Sequence, residues 1–195
     1  MILDIQHLYN RFLNNEFKAY LKENEMHKYI GELFHITPID LGDIANLKPQ
    51  VSKGCNLQIK ENETIIHPQR KQKILYCGMD INVCLILAPD QVIKDIDKIF
   101  IYKSITEEIG YTEEFSIDDL REVYCFNVVM MKRIGYIDNT NNQLWNLRNY
   151  RSNMMLLDPK RTTEITNEYL IKASEYIVLN DGYTYDDIIN GELWK

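Results

Sequence analysis

The amino-acid sequence predicts an α+β fold that forms one domain over residues 1–195, and three observations lead to this prediction. A chain of this length buries one hydrophobic core and is short for two. Its composition, 45% hydrophobic and 26% charged, is typical of a globular protein and not of a disordered chain. Strand-like and helix-like segments follow each other irregularly, without the regular βαβ order of a doubly wound sheet.

The first segment is an amphipathic helix. Apolar residues recur at three- and four-residue steps through residues 3–23, with polar residues between them. The sequence therefore predicts a helical amino-terminal extension ahead of a mixed core. The predicted segments are an extension at 1–30, a core at 31–137 and a carboxy-terminal α/β segment at 138–195.

The core segments are assigned from β-branched and aromatic runs and from turn signals. The strongest run, EVYCFNVVMM, is expected to be a central strand. Asp80 is suited to cap the helix that follows a strand and Gly78. The predicted strands are 33–36, 74–77, 99–102, 122–131 with 133–137 after a bend, and 176–179. The predicted helices are 80–87, 163–173 and 185–189. Residues 48–73 are predicted to be a long loop with room for one poor strand, and 138–153 to be irregular.

Charge and cysteine usage exclude several classes of protein. Residues 101–195 hold 16 acidic and 10 basic side chains within a net charge of −7. Non-specific nucleic-acid binding is therefore not expected, and a protein partner with a basic surface is expected instead. The four cysteines lack zinc or CxxC spacing and are predicted to be buried thiols. No apolar run is long enough for a membrane span and no secretory signal is visible, so a cytoplasmic location is expected.

The common catalytic motifs are absent from the sequence. It contains no GxGxxG, Walker loop, HExxH or GxSxG. Its four histidines, at positions 7, 27, 35 and 67, do not have the spacing of metal ligands, so no metal is expected.

One ordered set of short motifs stands apart from this background. The segment FHITP at 34–38 is followed by LKP at 47–49, by ILYCG at 74–78 and by REVY at 121–124. This order resembles the first half of ADP-ribosyltransferase-like domains, especially small phage-borne members, over residues 31–137. The resemblance implies a split β-sheet core.

The resemblance also implies a reaction and a set of site residues. The substrate would be NAD, attacked at the nicotinamide ribose with loss of nicotinamide through an oxocarbenium-like centre. His35 would hydrogen-bond the adenosine-side ribose, Thr37 would support the ribose or phosphates, and Tyr76 would stack on or flank the nicotinamide. Glu122 would bind the ribose hydroxyl and stabilise the developing positive charge. One NAD molecule touching all of them requires their three strands to be neighbours, and His35, Tyr76 and Glu122 to line one cleft.

The sequence departs from the family pattern and leaves other interpretations open. Position 120 is Leu, where the family usually has the first residue of a Glu-x-Glu or Gln-x-Glu pair, and the Ser-Thr-Ser feature is missing. His35 at a strand end and Glu122 at a strand start also have ordinary structural interpretations. The alternatives are a non-enzymatic acidic interaction protein, such as a defence inhibitor or accessory factor with a degraded site, and a structural protein that pairs through the helix at 3–23.

Overall fold

The computed structural model describes residues 27–51, 57–60, 63–65, 73–112 and 122–189. The predicted helix at 3–23 lies outside the described residues. Twelve strands are found within the described ranges. They are β1 (His27–Gly31), β2 (Phe34–Thr37), β3 (Ile44–Leu47), β4 (Gln50–Val51), β5 (Leu57–Lys60), β6 (Glu63–Ile65), β7 (Lys73–Gly78), β8 (Lys98–Ser104), β9 (Glu108–Thr112), β10 (Glu122–Cys125), β11 (Val129–Asp138) and β12 (Ile177–Leu179).

Four α-helices and three 3₁₀ turns accompany the strands in the described part of the chain. The helices are α1 (Ile81–Leu87), α2 (Asp90–Ile93), α3 (Gln143–Leu157) and α4 (Thr162–Ser174), and the turns are Thr140–Asn142, Pro159–Arg161 and Tyr185–Asp187. The predicted α+β class is therefore confirmed. Among these helices, none has both the length and the apolar character needed to cross a membrane.

Ten of the strands form one antiparallel sheet, in the order β1-β9-β10-β7-β2-β8-β11-β12. In addition, β3 pairs with the start of β11 and β4 pairs with the start of β7. Only Lys48 and Pro49 separate β3 from β4, a reach of about 10 Å. In a flat sheet the two positions would be about 14 Å apart, so the sheet curls.

Alternation along the strands divides the core between the two faces of the sheet. Phe34 and Ile36 point to the face that α1, α3 and α4 cover, and we call this the helix face. Leu33 and Tyr102 point to the inside of the curl, which we call the inner face. Further members of the helix-face core include Ile99, Ile101, Ile137, Leu144, Tyr169 and Ile188; those of the inner-face core include Leu75, Cys77, Val123, Cys125 and Met131.

Several sequence predictions are confirmed at residue level. Asp80 caps α1, because its Oδ1 accepts a hydrogen bond from the Val83 N–H at 2.9 Å. Three of the four cysteines, Cys77, Cys84 and Cys125, are buried free thiols, and Cys55 lies outside the described residues.

Four element predictions are wrong. The loop expected at 48–73 carries β4, β5 and β6, and the helix expected at 185–189 is only the 3₁₀ turn Tyr185–Asp187. The strand expected at 122–131 is two strands, because β10 pairs with β7 and β9 whereas β11 pairs with β8. Residues 138–153, expected to be irregular, contain most of α3. The buried Asn139 stabilises its start, since Oδ1 accepts from the Leu144 N–H at 2.7 Å.

The sheet also extends beyond the predicted core boundaries. β1 belongs to it, although most of β1 falls in the range assigned to the helical extension. At the other end, β12 pairs with β11, and α4 packs into the helix-face core.

Candidate functional site

The strands that carry His35, Tyr76 and Glu122 are consecutive in the sheet. β7 lies between β2 and β10, and it pairs antiparallel with both. The expectation that the three strands lie side by side is therefore confirmed.

The centre of the site is the place where backbone pairing between β2 and β7 stops. The two strands are paired only at Phe34 and Gly78. Continued pairing would bring Ile36 opposite Tyr76. Instead, Nδ1 of His35 lies 3.0 Å from the Tyr76 carbonyl oxygen. We call this separation between β2 and β7 the seam. The hydrogen bond from His35 to the Tyr76 carbonyl crosses the seam, where backbone pairing has ended.

The hydrogen bond fixes the tautomer of His35. A carbonyl oxygen only accepts, so Nδ1 carries the proton and donates it, and Nε2 of the neutral ring is left as an acceptor. Burial lowers the pKa of His35 below its usual value, and the bond to the Tyr76 carbonyl opposes part of that effect. The imidazole at the seam is therefore neutral at neutral pH.

The far end of the seam is closed by β4. Its Gln50 pairs with Ile74 at the beginning of β7. The seam thus runs along β7 from Ile74 to Gly78, with the His35 contact to Tyr76 at its middle.

Glu122 and Tyr76 share one face of the sheet. Glu122 is opposite Gly78, and Tyr124 is opposite Tyr76, so all of these positions point to the helix face. The Tyr76 and Tyr124 rings meet edge to face, with centroids 5.4 Å apart. Glu122 itself is half-buried.

The charge of Glu122 affects a buried thiol in α1. Burial, followed by the negative charges of Asp80 and Glu122, raises the pKa of the Cys84 thiol. Gly78 allows α1 to pack closely against the end of β7, because a Cβ at position 78 would lie 2.7 Å from both the Asp80 carbonyl oxygen and the Cys84 sulfur.

His35 and Thr37 point to the opposite, inner face. His35 is opposite Tyr102 and Thr37 is opposite Phe100. The structure therefore brings His35 to the main chain of Tyr76, while the register assigns the imidazole and the phenol ring to different faces. The expectation that His35, Tyr76 and Glu122 line one cleft is not met on either face of the sheet. Thr37 is only 8% exposed, and its hydroxyl accepts a hydrogen bond from the Ile39 N–H at 3.2 Å.

Sequence reasoning missed a clamp on the loop that follows Thr37. The Tyr102 hydroxyl accepts from the Leu41 N–H at 2.8 Å and donates to the Gly42 carbonyl at 3.0 Å. Arg133 forms ion pairs with Asp40 and with Asp43. The Asp-Leu-Gly-Asp segment signals a turn, but nothing local identifies partners about 60 and 90 positions away.

The pKa of the Asp40 carboxyl is lowered within this clamp. The hydrogen bond from the Gly42 N–H is the largest cause, and Arg133 adds to it. The loop is therefore fixed by both main-chain and charged contacts.

No group of three potential metal-ligating side chains occurs within 27–51, 57–60, 63–65, 73–112 and 122–189. No family model, curated protein or solved structure matches this chain.

Proposed function

We propose that this chain is an ADP-ribosyltransferase-like protein of phage or prophage origin, which uses NAD as a substrate and modifies a host protein. The observation that supports the proposal most is the sheet order β2-β7-β10 with its seam at His35. Three motifs far apart in the sequence lie on three consecutive strands, and two of these strands border the seam. The ADP-ribosyltransferase-like split sheet is part of this proposal.

The seam explains how one ligand can contact side chains on both faces. A group inserted between β2 and β7 meets His35 from the inner face and Tyr76 and Glu122 from the helix face. It also meets the edge of β2 at Ile36, where pairing with β7 has ended. A carboxamide such as that of nicotinamide carries a donor and an acceptor, as a strand edge does.

Each side chain then has a task that suits its chemistry. Nε2 of His35 accepts a hydrogen bond from a ribose hydroxyl, because Nδ1 is already committed to the Tyr76 carbonyl. The Tyr76 ring flanks the nicotinamide. The half-buried Glu122 stabilises positive charge at the ribose carbon as nicotinamide leaves, and partial removal from water strengthens this effect.

One observation favours the alternative, a non-enzymatic acidic interaction protein. Thr37 is buried and its hydroxyl oxygen is already an acceptor for Ile39, so its part in holding a ribose or phosphate is weakened. Such a protein would keep the fold and the acidic surface without the chemistry.

Nicotinamide release and thermal shift with NAD separate the two functions. A ligand that binds the folded state raises the melting temperature, so wild-type protein is expected to be stabilised by NAD and to release nicotinamide. Glu122→Gln keeps the shape and removes the charge, and it should lower release by about a hundredfold or more while stability is kept. Glu108→Gln, at the start of the neighbouring β9, is the matched control and should retain activity.

Two results would reject the enzyme. Wild-type protein that neither binds nor cleaves NAD would favour the interaction protein. Equal loss of release in the Glu122 and Glu108 variants would show that Glu122 has no special role.

A further inference from the structure

The loop at residues 38–43, which we call the clamped loop, exposes apolar side chains beside the candidate site. Ile39 is 62% exposed and Leu41 is 40% exposed. The loop directly follows Thr37, the last residue of β2. Single exposed apolar residues are ordinary, but two on one short loop at the end of a site strand form a local apolar surface.

The clamped loop is connected to β2 and β3 at its ends, and side chains from β8 and β11 bind it. Tyr102 on β8 binds the main chain of Leu41 and Gly42, and Arg133 on β11 binds Asp40 and Asp43. Ile39 and Leu41 are therefore presented on a fixed backbone. Presenting apolar side chains rigidly lowers the entropy lost when a partner binds them.

The charge of the clamped loop indicates what its partner carries. Two carboxylates, Asp40 and Asp43, face a single guanidinium, Arg133, so the cluster keeps one negative charge in excess. The Asp43 side chain is 85% exposed and is accessible to a partner. An Arg or Lys on the partner would neutralise the excess.

We propose that the clamped loop is the docking surface for the acceptor protein, which contacts Ile39 and Leu41 with an apolar side chain flanked by Arg or Lys. This inference rests on the proposed function, and it adds the chemistry by which the acceptor is recognised. Docking here holds the acceptor next to the end of β2, close to the seam where the ADP-ribosyl group would be released.

Two activities measured on the full chain test the proposal. The first is nicotinamide release from NAD with water as the only acceptor. The second is transfer of label from NAD radiolabelled in its adenylate to proteins of a bacterial cell extract. The double variant Ile39→Ser/Leu41→Ser is compared with Leu156→Ser/Leu157→Ser. The second pair is 81% and 79% exposed at the end of α3 and is the matched control.

In the loop variant, labelling is expected to fall by about tenfold or more, as loss of an interface anchor worth at least about 1.4 kcal/mol does, while nicotinamide release stays within about twofold of wild type. The α3 variant should match wild type in both assays. Wild-type labelling should also weaken as ionic strength rises from about 0.01 M to about 0.15 M, because the Debye length shortens from about 30 Å to about 8 Å.

Competing peptides test the partner's chemistry. A peptide of alternating Leu and Arg should reduce labelling, and one of alternating Leu and Glu should not. Equal competition by both peptides would contradict the inference that the partner presents Arg or Lys.

Four further results would overturn the docking surface. Labelling by the loop variant at the wild-type level would exclude the loop, and equal loss in both variants would show a general effect of apolar surface. Nicotinamide release without labelling of any protein would mean that water is the acceptor. A wild-type dimer that separates in the loop variant would show that a second copy of the chain occupies the loop. Absence of both activities in wild-type protein would instead reject the proposed function, and this inference with it.

Discussion

The hydrogen bond across the seam gives a prediction about stability that does not depend on any ligand. His35→Ala removes the side-chain donor that lies 3.0 Å from the Tyr76 carbonyl oxygen, at a point where β2 and β7 are not paired. The carbonyl then loses this hydrogen bond. We expect the variant to fold, with lower stability.

The size of the effect follows from the burial of the group. A buried carbonyl that loses its partner destabilises a protein by about 1–3 kcal/mol. For a chain of this length each kcal/mol lowers the melting temperature by about 2–4 °C, so the fall should be about 2–12 °C. The lower half of this range is expected, because His35 is half-buried and not fully buried.

The pH dependence of the difference identifies the imidazole as the cause. Burial lowers the pKa of His35 in the folded protein, whereas the unfolded chain protonates it near its ordinary value of about 6.5. Below that pH the unfolded state binds the proton first. The stabilisation is therefore complete above about pH 6.5 and is lost as the pH falls toward the lower folded-state pKa.

Calorimetric melting of wild type, His35→Ala and His35→Gln at about pH 7.5 and about pH 5.5 measures both effects. The gap between wild type and the Ala variant should shrink at the lower pH. His35→Gln retains an N–H donor without a titratable group, so it should recover part of the stability and show the same pH response as the Ala variant. A melting temperature unchanged in His35→Ala, or a gap equal at both pH values, would refute the reasoning.

Three other substitutions test the surroundings of the site by urea unfolding. Gly78→Ala should destabilise by about 1–3 kcal/mol, because its Cβ would lie 2.7 Å from a backbone oxygen and from the Cys84 sulfur; an unchanged midpoint would contradict this close packing. Asn139→Ala should destabilise by about 3 kcal/mol or more, since its buried side chain makes three hydrogen bonds of 2.6–2.7 Å; a change below about 1 kcal/mol would show that water replaces them. Tyr169→Phe, which loses a buried 2.8 Å bond to a carbonyl, should destabilise by about 1–2 kcal/mol, and ultraviolet titration of the variant should lack one tyrosine with a pKa near 12 that wild type shows; absence of both effects would place the hydroxyl in water.

The sequence predicted elements well where local signals determine them. The Asp80 cap and α1 follow from neighbouring residues, and the structure has both. The sequence-based prediction failed where contacts between residues far apart in the sequence determine the element. α3 is rich in Asn and Arg, and the buried Asn139 that holds its start binds carbonyls more than 40 positions away. A β-rich run likewise does not reveal where the chain changes sheet neighbours, as it does between β10 and β11.

For the site, too, the sequence predicted the order of the strands but not the features that depend on distant contacts. Short motifs indicated that three strands would be neighbours, and they are. The seam could not be foreseen, because it depends on where pairing between β2 and β7 stops. The clamped loop was also missed, since Tyr102 and Arg133 reach it from β8 and β11.

The register of β2 imposes a strict requirement on any NAD complex. Phe34 and Ile36 are buried in the helix-face core, and a rotation that turned His35 toward Tyr76 would expose both of them. His35 therefore stays on the inner face, and a ligand that contacts it together with Glu122 must pass through the seam. Between the Gly78 and Ile74 pairings the seam extends over four residue steps of β7, or about 13 Å, and the hydrogen bond from His35 to Tyr76 divides this length. In the proposed complex the nicotinamide half would therefore lie in the part of the seam next to Gly78, and the adenosine half would extend over the inner face beside Thr37. Substitution of Phe100, which is opposite Thr37 on that face, should then weaken binding of NAD more than binding of nicotinamide riboside. Equal weakening of both ligands in a calorimetric titration would contradict this arrangement.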